Sequence, residues 1–582
     1  MLRLYGYATA LLAVFTGASG QAGEFNQPPG VDVWCGRAYR ATNSSFDPGG
    51  QFQDPPVSSK PLLRFRARPR LNIYLDTDEE AVVLIDAKVV HQAGEPLPPC
   101  YVPYESKEPA PMRVEIALGE EVLATTEISV GSTENQVQLE LQGLEPQFEA
   151  YELTVTATLG RNLTYVSDTK LYYLPYPDDY GSVSRIDNLY GALYVQRGKN
   201  SDWERIFPYT YYAQWTRYWN EDEGAAVGRP NVSTLSEYAS MGYNLIHPVP
   251  TGSLGFNPFP WDEWLPYVER ADELGLYFRY DVNLYWPNMT NMLDQVEGLR
   301  RHPSILLWYH SDEPDGKTWP LEEMHEAYEA IRALDPYHPV SLVLNCYDFH
   351  YEEYSMGADI VASDVYPIGI NATWSVEYNT PCNETYGTCG CDFCEGSFHD
   401  VSDRLDEFQR RDELLGWDKV HWFTPQAFGG EFLWSRRPTQ EELLVMTMLA
   451  VNHGAKGIVQ WDFPSVDWIH EITEAMAVVL PSKAVTDFTL GAPRIQGLRI
   501  DGSETLDATA WVDLENGKIM LNVVNLSYDD QVGDIQIYLP MDLEGSEYVE
   551  GLWGERGWTI AGNTLSTNGF TSLEVAMFVL TI

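Results

Sequence analysis

The stretch Ile305-Leu306-Leu307-Trp308-Tyr309-His310-Ser311-Asp312-Glu313-Pro314 decides how the chain is read. Its apolar half is short and strand-like, and it runs straight into two adjacent carboxyl groups and a proline. Outward from it the same rhythm recurs on both sides. Strand-like runs occur at residues 207–214, 243–249, 276–284, 305–309, 340–345, 360–366, 420–426 and 457–461. Helical patterns at residues 264–274, 292–301, 321–334, 401–415 and 440–452 separate most of them. This alternation predicts parallel strands with helices outside, and eight βα steps within residues 195–482 predict an α/β fold, a closed (β/α)8 TIM barrel. A Rossmann-type open sheet fits less well, because no Gly-rich phosphate loop follows the first strand.

The flanks read differently. Between residues 26 and 185, short alternating runs at 71–75, 81–86, 112–118 and 151–157 are broken by Pro, Gly and Glu, which predicts an N-terminal β-sandwich region. A helix is expected near residues 469–480. From 487 to 582 the chain returns to short strands at 519–524, 535–539 and 575–581, predicting a C-terminal β-sandwich domain.

A chain of 582 residues, 44% hydrophobic, is long enough for several domains with separate cores. Its net charge of −48 would repel a phosphate backbone or an anionic lipid surface, so neither nucleic acid nor membrane is expected as a partner. Tyr and Trp, 36 and 18 residues, outnumber the 21 Phe, and rings with a flat apolar face and a polar tip suit sugars as well as ordinary cores. The basic start at Met1 to Arg3, the apolar run 8–15 and Ala18-Ser19-Gly20 read as a signal peptide over residues 1–20, hence a secreted protein. Sequons at Asn43, Asn162, Asn231, Asn288, Asn371, Asn383 and Asn525 agree with a glycosylated, exported chain.

In an oxidising compartment cysteines pair. Cys35 and Cys100 are expected to bridge, and Cys382, Cys389, Cys391 and Cys394 to form two local disulfides rather than a zinc site, since no His follows at finger spacing. Cys346 is then left as a buried thiol. The long insertion at residues 369–398 that carries the clustered cysteines reads as a wall of the cleft or a stapled surface excursion. No metal cluster or cofactor motif is evident, and no feature specifies an oligomeric state.

A barrel enzyme builds its site at the C-terminal ends of its strands. Those ends offer Tyr212, Gln214 and Trp215; His247; Asn283, Tyr285 and Trp286; Asn345; Asp364 and Tyr366; Gln426; and Trp461 with Asp462. Acceptors, donors and ring faces converge there without clustered Lys or Arg, which points to an oligo- or polysaccharide substrate. His247, Asn283 and Gln426 are candidates to read sugar hydroxyls, although a lone His in an apolar strand also reads as a core group. Asp312 and Glu313 cannot both be comfortably ionised in a cleft, so one is expected to hold its proton near neutral pH, as glycosidic cleavage requires of its acid. An Asp capping the following helix is the competing structural reading.

On these strand ends the chain resembles the (β/α)8 glycoside hydrolases, in which a Glu closing strand four is commonly the general acid. It departs from the largest clan in having Asp312 where those enzymes carry Asn, and in ending strand seven with Phe423-Thr424-Pro425-Gln426 rather than a Glu nucleophile. The string His310-Ser311-Asp312-Glu313-Pro314 is similar to that of substrate-assisted β-N-acetylhexosaminidases, particularly the β-N-acetylgalactosaminidase type. That resemblance implies Asp312 as polariser of a substrate 2-acetamido group and Glu313 as acid/base. It also implies Tyr366 as a donor to the acetamido carbonyl and Trp461 as the floor of the sugar site. The alternatives are a glycosidase pairing Glu313 with Asp364 as nucleophile or base, and a non-catalytic carbohydrate-binding cell-wall protein.

Overall fold

The computed structural model describes residues 33–38, 49–103, 108–214, 232–249, 260–283, 287–376, 379–383, 386, 390–554 and 556–582. The expected signal peptide, the sequons at Asn43 and Asn231, Trp215, Tyr285, Trp286 and Cys389 lie outside them.

Eight parallel strands close into a barrel in chain order: β1 (Tyr209–Gln214), β2 (Leu245–Val249), β3 (Tyr277–Asp281), β4 (Ile305–Asp312), β5 (Val340–Leu344), β6 (Ile360–Ser363), β7 (Val420–Phe423) and β8 (Ile458–Phe463). These are the eight runs expected from the sequence. Strands β3, β5 and β6 are buried at every position, because helices cover their outer faces and side chains fill the lumen. The helix α1 (Gln440–Asn452), between β7 and β8, is apolar on nearly all sides, with Leu443 to Leu449 buried throughout. A helix with that composition needs cover all round. The C-terminal sandwich supplies it, as Asn522 donates to the carbonyl of Met448 at 3.2 Å and to Asn452 Oδ1 at 2.8 Å. That sandwich stacks a five-stranded sheet on a four-stranded one around Ile519, Leu521, Ile535, Ile537 and Phe578. Among the described residues, no helix is long and apolar enough to cross a membrane.

The chain divides into two compact units, one of which comprises residues 53–204 together with 408–419. Within it, two four-stranded antiparallel sheets share one core. Strand Tyr151–Leu159 buries Leu153, Val155, Ala157 and Leu159 and leaves Glu152 and Thr154 in solvent, the period of two read from the sequence. Among the described residues, the first strand of this sandwich is Leu62–Pro69. Residues 33–38 belong instead with the barrel, because Cys35 is disulfide-bonded to Cys346, 311 residues away. The expected Cys35–Cys100 bridge and the expected Cys346 thiol are thereby corrected; Cys100 is exposed. Cys391 pairs with Cys394, and Cys382 is also disulfide-bonded. The Asn525 sequon is corrected too: its side chain is fully buried, donates to the Thr571 carbonyl and accepts from Thr505 and Ser527.

Candidate active site

The strand that opened the sequence reading carries a register shift against β5 between Tyr309 and Ser311. A bulge of this kind re-aims side chains. His310 and Ser311 both turn outward, Ser311 Oγ lying 2.7 Å from His310 Nδ1 and 2.8 Å from Met324 Sδ on the covering helix. Tyr309 and Asp312, three residues apart, share the inner face, and the Tyr309 hydroxyl donates to Asp312 Oδ1 at 2.6 Å. Glu313 follows with φ 46, a left-handed conformation that costs a non-glycine residue about 1 kcal/mol or more and is found where a site demands it. The chain then turns tightly, the Lys317 amide donating to the Glu313 carbonyl at 3.0 Å, and this brings the Lys317 ammonium back over both carboxyls.

Lys317 Nζ lies 2.7 Å from Asp312 Oδ2, 2.6 Å from the Asp312 carbonyl and 3.8 Å from Glu313 Oε2. Burial would protonate Asp312, but Lys317, the Tyr309 hydroxyl and Arg279 together hold its carboxyl below the usual range, so it is an anion. Glu313 moves the other way: burial, reinforced by the Asp312 charge, outweighs Lys317 and pushes it up. Asp364, just beyond β6, hydrogen-bonds carboxyl to carboxyl with Glu313 and is pushed far up, by burial first and by Glu313 second. That hydrogen bond raises Asp364 and lowers Glu313, so Asp364 is its donor, beside an ionised Asp312, and environments that drive neighbouring carboxyls apart are what assign acid and base roles. The side chains of Asp312 and Glu313 are 28% and 18% exposed, enough to meet a solute, whereas Lys317 is 8% exposed and Asp364 only 4%.

Beneath the carboxyls, a buried chain of donors supports the Asp312 anion. Arg279 donates to the Tyr212 hydroxyl at 3.2 Å, Tyr212 to Tyr309 at 3.3 Å, and the Arg279 guanidinium lies 4.1 Å from the centre of the Tyr309 ring. Burial lifts the Tyr212 hydroxyl to about 12, so it remains a donor.

The expected site residues fall into three groups. Asp312, Glu313 and Asp364 come together, joined by Asn283, whose side-chain oxygen accepts from the Asp312 amide at 3.1 Å. Tyr366 and Trp461 form the aromatic part. Tyr366 packs edge-on against Phe428 and Trp434, with Asp364 and Glu313 near enough to raise its hydroxyl further beyond what burial does. Trp461, partly exposed, packs edge-on to Tyr212 at 5.2 Å. His247 and Gln426 are corrected. His247 is fully buried, 3.2 Å from Asp281 and packed on Tyr212 and Tyr309, so it is the core histidine of the alternative reading, kept neutral by burial and by Arg279. Gln426, also fully buried, spends its amide on backbone, accepting from the Ile368 amide at 3.0 Å and donating to the Ile368 and Phe428 carbonyls. It ties the β6 and β7 loops and is out of reach of a sugar.

Three contributors carried no role in the sequence reading. Lys317 was findable, since a basic residue four positions after a carboxyl returns to it in a single turn. Asn345, seen only as the end of β5, donates to Glu313 Oε1 at 3.3 Å and to Asp364 Oδ1 at 3.4 Å. Asp315, buried, accepts from the amides of Gly316, Asn345 and Cys346 and is pushed up to about 7 by burial; it sets the β5 loop at the height of the carboxyls.

The sequence matches no protein-family model and no curated protein. Solved structures similar to the chain include an FMN-binding beta-glucuronidase from Facaelibacterium prausnitzii L2-6, at 10% identity over 90% of this chain and 74% of that one, with a TM-score of 0.33. A GH2 beta-galacturonidase from Eisenbergiella tayi matches at 16% identity over 71% of this chain and 72% of that one, TM-score 0.33. An Anoxybacillus alpha-amylase matches at 10% identity over 65% of this chain and 99% of that one, TM-score 0.45.

Proposed function

We propose that the protein is an exported glycoside hydrolase acting on a 2-acetamido sugar, with Glu313 as acid/base and Asp312 as the anion that orients the acetamido group. The observation that carries this is the splitting of two adjacent carboxyls at the barrel mouth, Asp312 held ionised by Lys317 and Tyr309 while Glu313 is pushed up. Each Asp312 oxygen has one strong donor and a second lone pair, so the group can still accept the acetamido N–H. In the first step the acetamido oxygen attacks the anomeric carbon, the bond to the leaving oxygen breaks, and Glu313 gives that oxygen its proton. In the second, the Glu313 carboxylate takes a proton from water as the water opens the bicyclic intermediate and restores the sugar. Trp461 and Tyr366 supply the ring face and hydroxyl of the site.

The Glu313–Asp364 hydrogen bond favours a second reading, in which these two act on a sugar with a free 2-hydroxyl. Their carboxyls are hydrogen-bonded directly to one another, which leaves no place between them for the water of an inverting pair, so a substrate would have to break that bond. A panel of aryl glycosides decides. Turnover of 2-acetamido sugars with thiazoline inhibition, and a loss of about 10²–10⁴-fold in Glu313→Gln, is the expected result. Preference for free 2-hydroxyl sugars would transfer the second role to Asp364. No turnover of any member would favour a carbohydrate-binding protein.

A further inference from the structure

Residues 33–38 form a small hairpin, Val33–Trp34 antiparallel to Arg37–Ala38, turning at Cys35 and Gly36 with φ 50 and 67. Three attachments hold its tip to the barrel. Cys35 is bonded to Cys346, two residues beyond the end of β5, and the Cys35 amide donates to the Gly316 carbonyl at 3.3 Å. The Trp34 indole lies flush against Gly316, where an added Cβ would come within 2.7 Å of the ring. From there Trp34 Nε1 reaches Asn345 Oδ1 at 2.6 Å.

An indole N–H can only donate, so the Asn345 atom it meets must be the oxygen. The NH2 end is then forced the other way, onto Glu313 Oε1 and Asp364 Oδ1. With the indole gone, the amide could rotate and present its oxygen to two acids, which would disfavour their charged forms. We propose that Trp34, clamped by the Cys35–Cys346 disulfide, is a positioning residue that fixes the Asn345 amide so that its NH2 faces Glu313 and Asp364. The proposal rests on the reading of Glu313 as the acid/base, and it makes the N-terminal hairpin part of a site otherwise built from strand ends.

Infrared titration of the protonated carboxyl band in the substrate-free protein tests it, with the band assigned by its loss in Glu313→Gln and Asp364→Asn. Trp34→Phe keeps a ring over Gly316 and removes the donor. Its titration is expected to move up by about one pH unit, the worth of one hydrogen bond to a charged group. Asn345→Ala should move it in the same direction and add nothing when combined with Trp34→Phe. A Cys35→Ser/Cys346→Ser double variant should shift it likewise if the disulfide is the clamp, and an unshifted titration there would remove the disulfide from the proposal. An unshifted titration in a folded Trp34→Phe protein, checked by its thermal transition, would overturn the positioning role even if the glycosidase panel is positive. A shifted titration with no turnover on that panel would support the positioning role and reject the glycosidase reading instead.

Discussion

Replacing Lys317 by Met keeps most of the buried stem and deletes the charge. The ammonium sits 2.7 Å from Asp312 Oδ2 and 3.8 Å from Glu313 Oε2. An opposite charge at such range lowers a carboxyl by about 1–3 units, and Coulomb energy falls as the inverse of distance, so Glu313 feels about seven-tenths of what Asp312 feels. Asp312, whose folded value lies below its free one, contributes stability above the ordinary carboxyl range and loses it as pH falls through the folded value. In Lys317→Met that contribution disappears. The assay is the pH dependence of kcat/KM on the best substrate of the panel. Its acid limb, set by ionisation of Asp312, should move up, and its basic limb, set by Glu313, should move up by the smaller amount its longer distance from Lys317 implies, carrying the whole bell toward alkaline pH. A bell that stays in place, or moves down, would refute the assignment of Asp312 as an anion held by Lys317.

Glu313→Gly should abolish turnover yet stabilise the barrel by about 1 kcal/mol, because glycine accepts φ 46 without strain and a buried carboxyl is removed; an unchanged or lower thermal transition would count against strain at this position. Gly316→Ala, whose Cβ would press on the Trp34 ring, should reproduce the upward infrared shift of Trp34→Phe, and a wild-type titration would mean the ring has room to move. His453 lies between Asp406 at 2.8 Å and Asp507 at 3.1 Å; burial opposes its charge, but these hydrogen bonds push it up to about 9. Its contribution, about 3 kcal/mol at most, is complete below about pH 6.5 and lost as pH rises through about 9, so His453→Gln should flatten the alkaline loss of stability seen in denaturant melts. When the chain is made in a secretory host, peptide mass mapping should find exposed Asn162 and Asn371 open to glycans and Asn525 bare; a glycan on Asn525 would contradict its burial.

Much of this architecture was written in local pattern. Each barrel strand is an apolar run bounded by polar turns, and most covering helices repeat an apolar face every three to four residues, so local pattern located all eight strands in order. The Asp312-Glu313 pair was legible for the same reason, being adjacent in sequence at the end of such a run. What sequence could not supply is which distant groups meet them. Asp364 touches Glu313 only because β4, β5 and β6 are neighbours in a closed ring, and Asn345 faces both acids only because Trp34, 311 residues earlier, occupies its oxygen. Likewise His247 and Gln426 carry suitable chemistry at suitable strand ends, yet one is sealed in the lumen and the other is tied to backbone. Residue type and spacing determine which segments become strands, helices and turns, because those depend on neighbours along the chain. Protonation, access and hydrogen-bond partnership depend on neighbours in space, and only closing the barrel decides them.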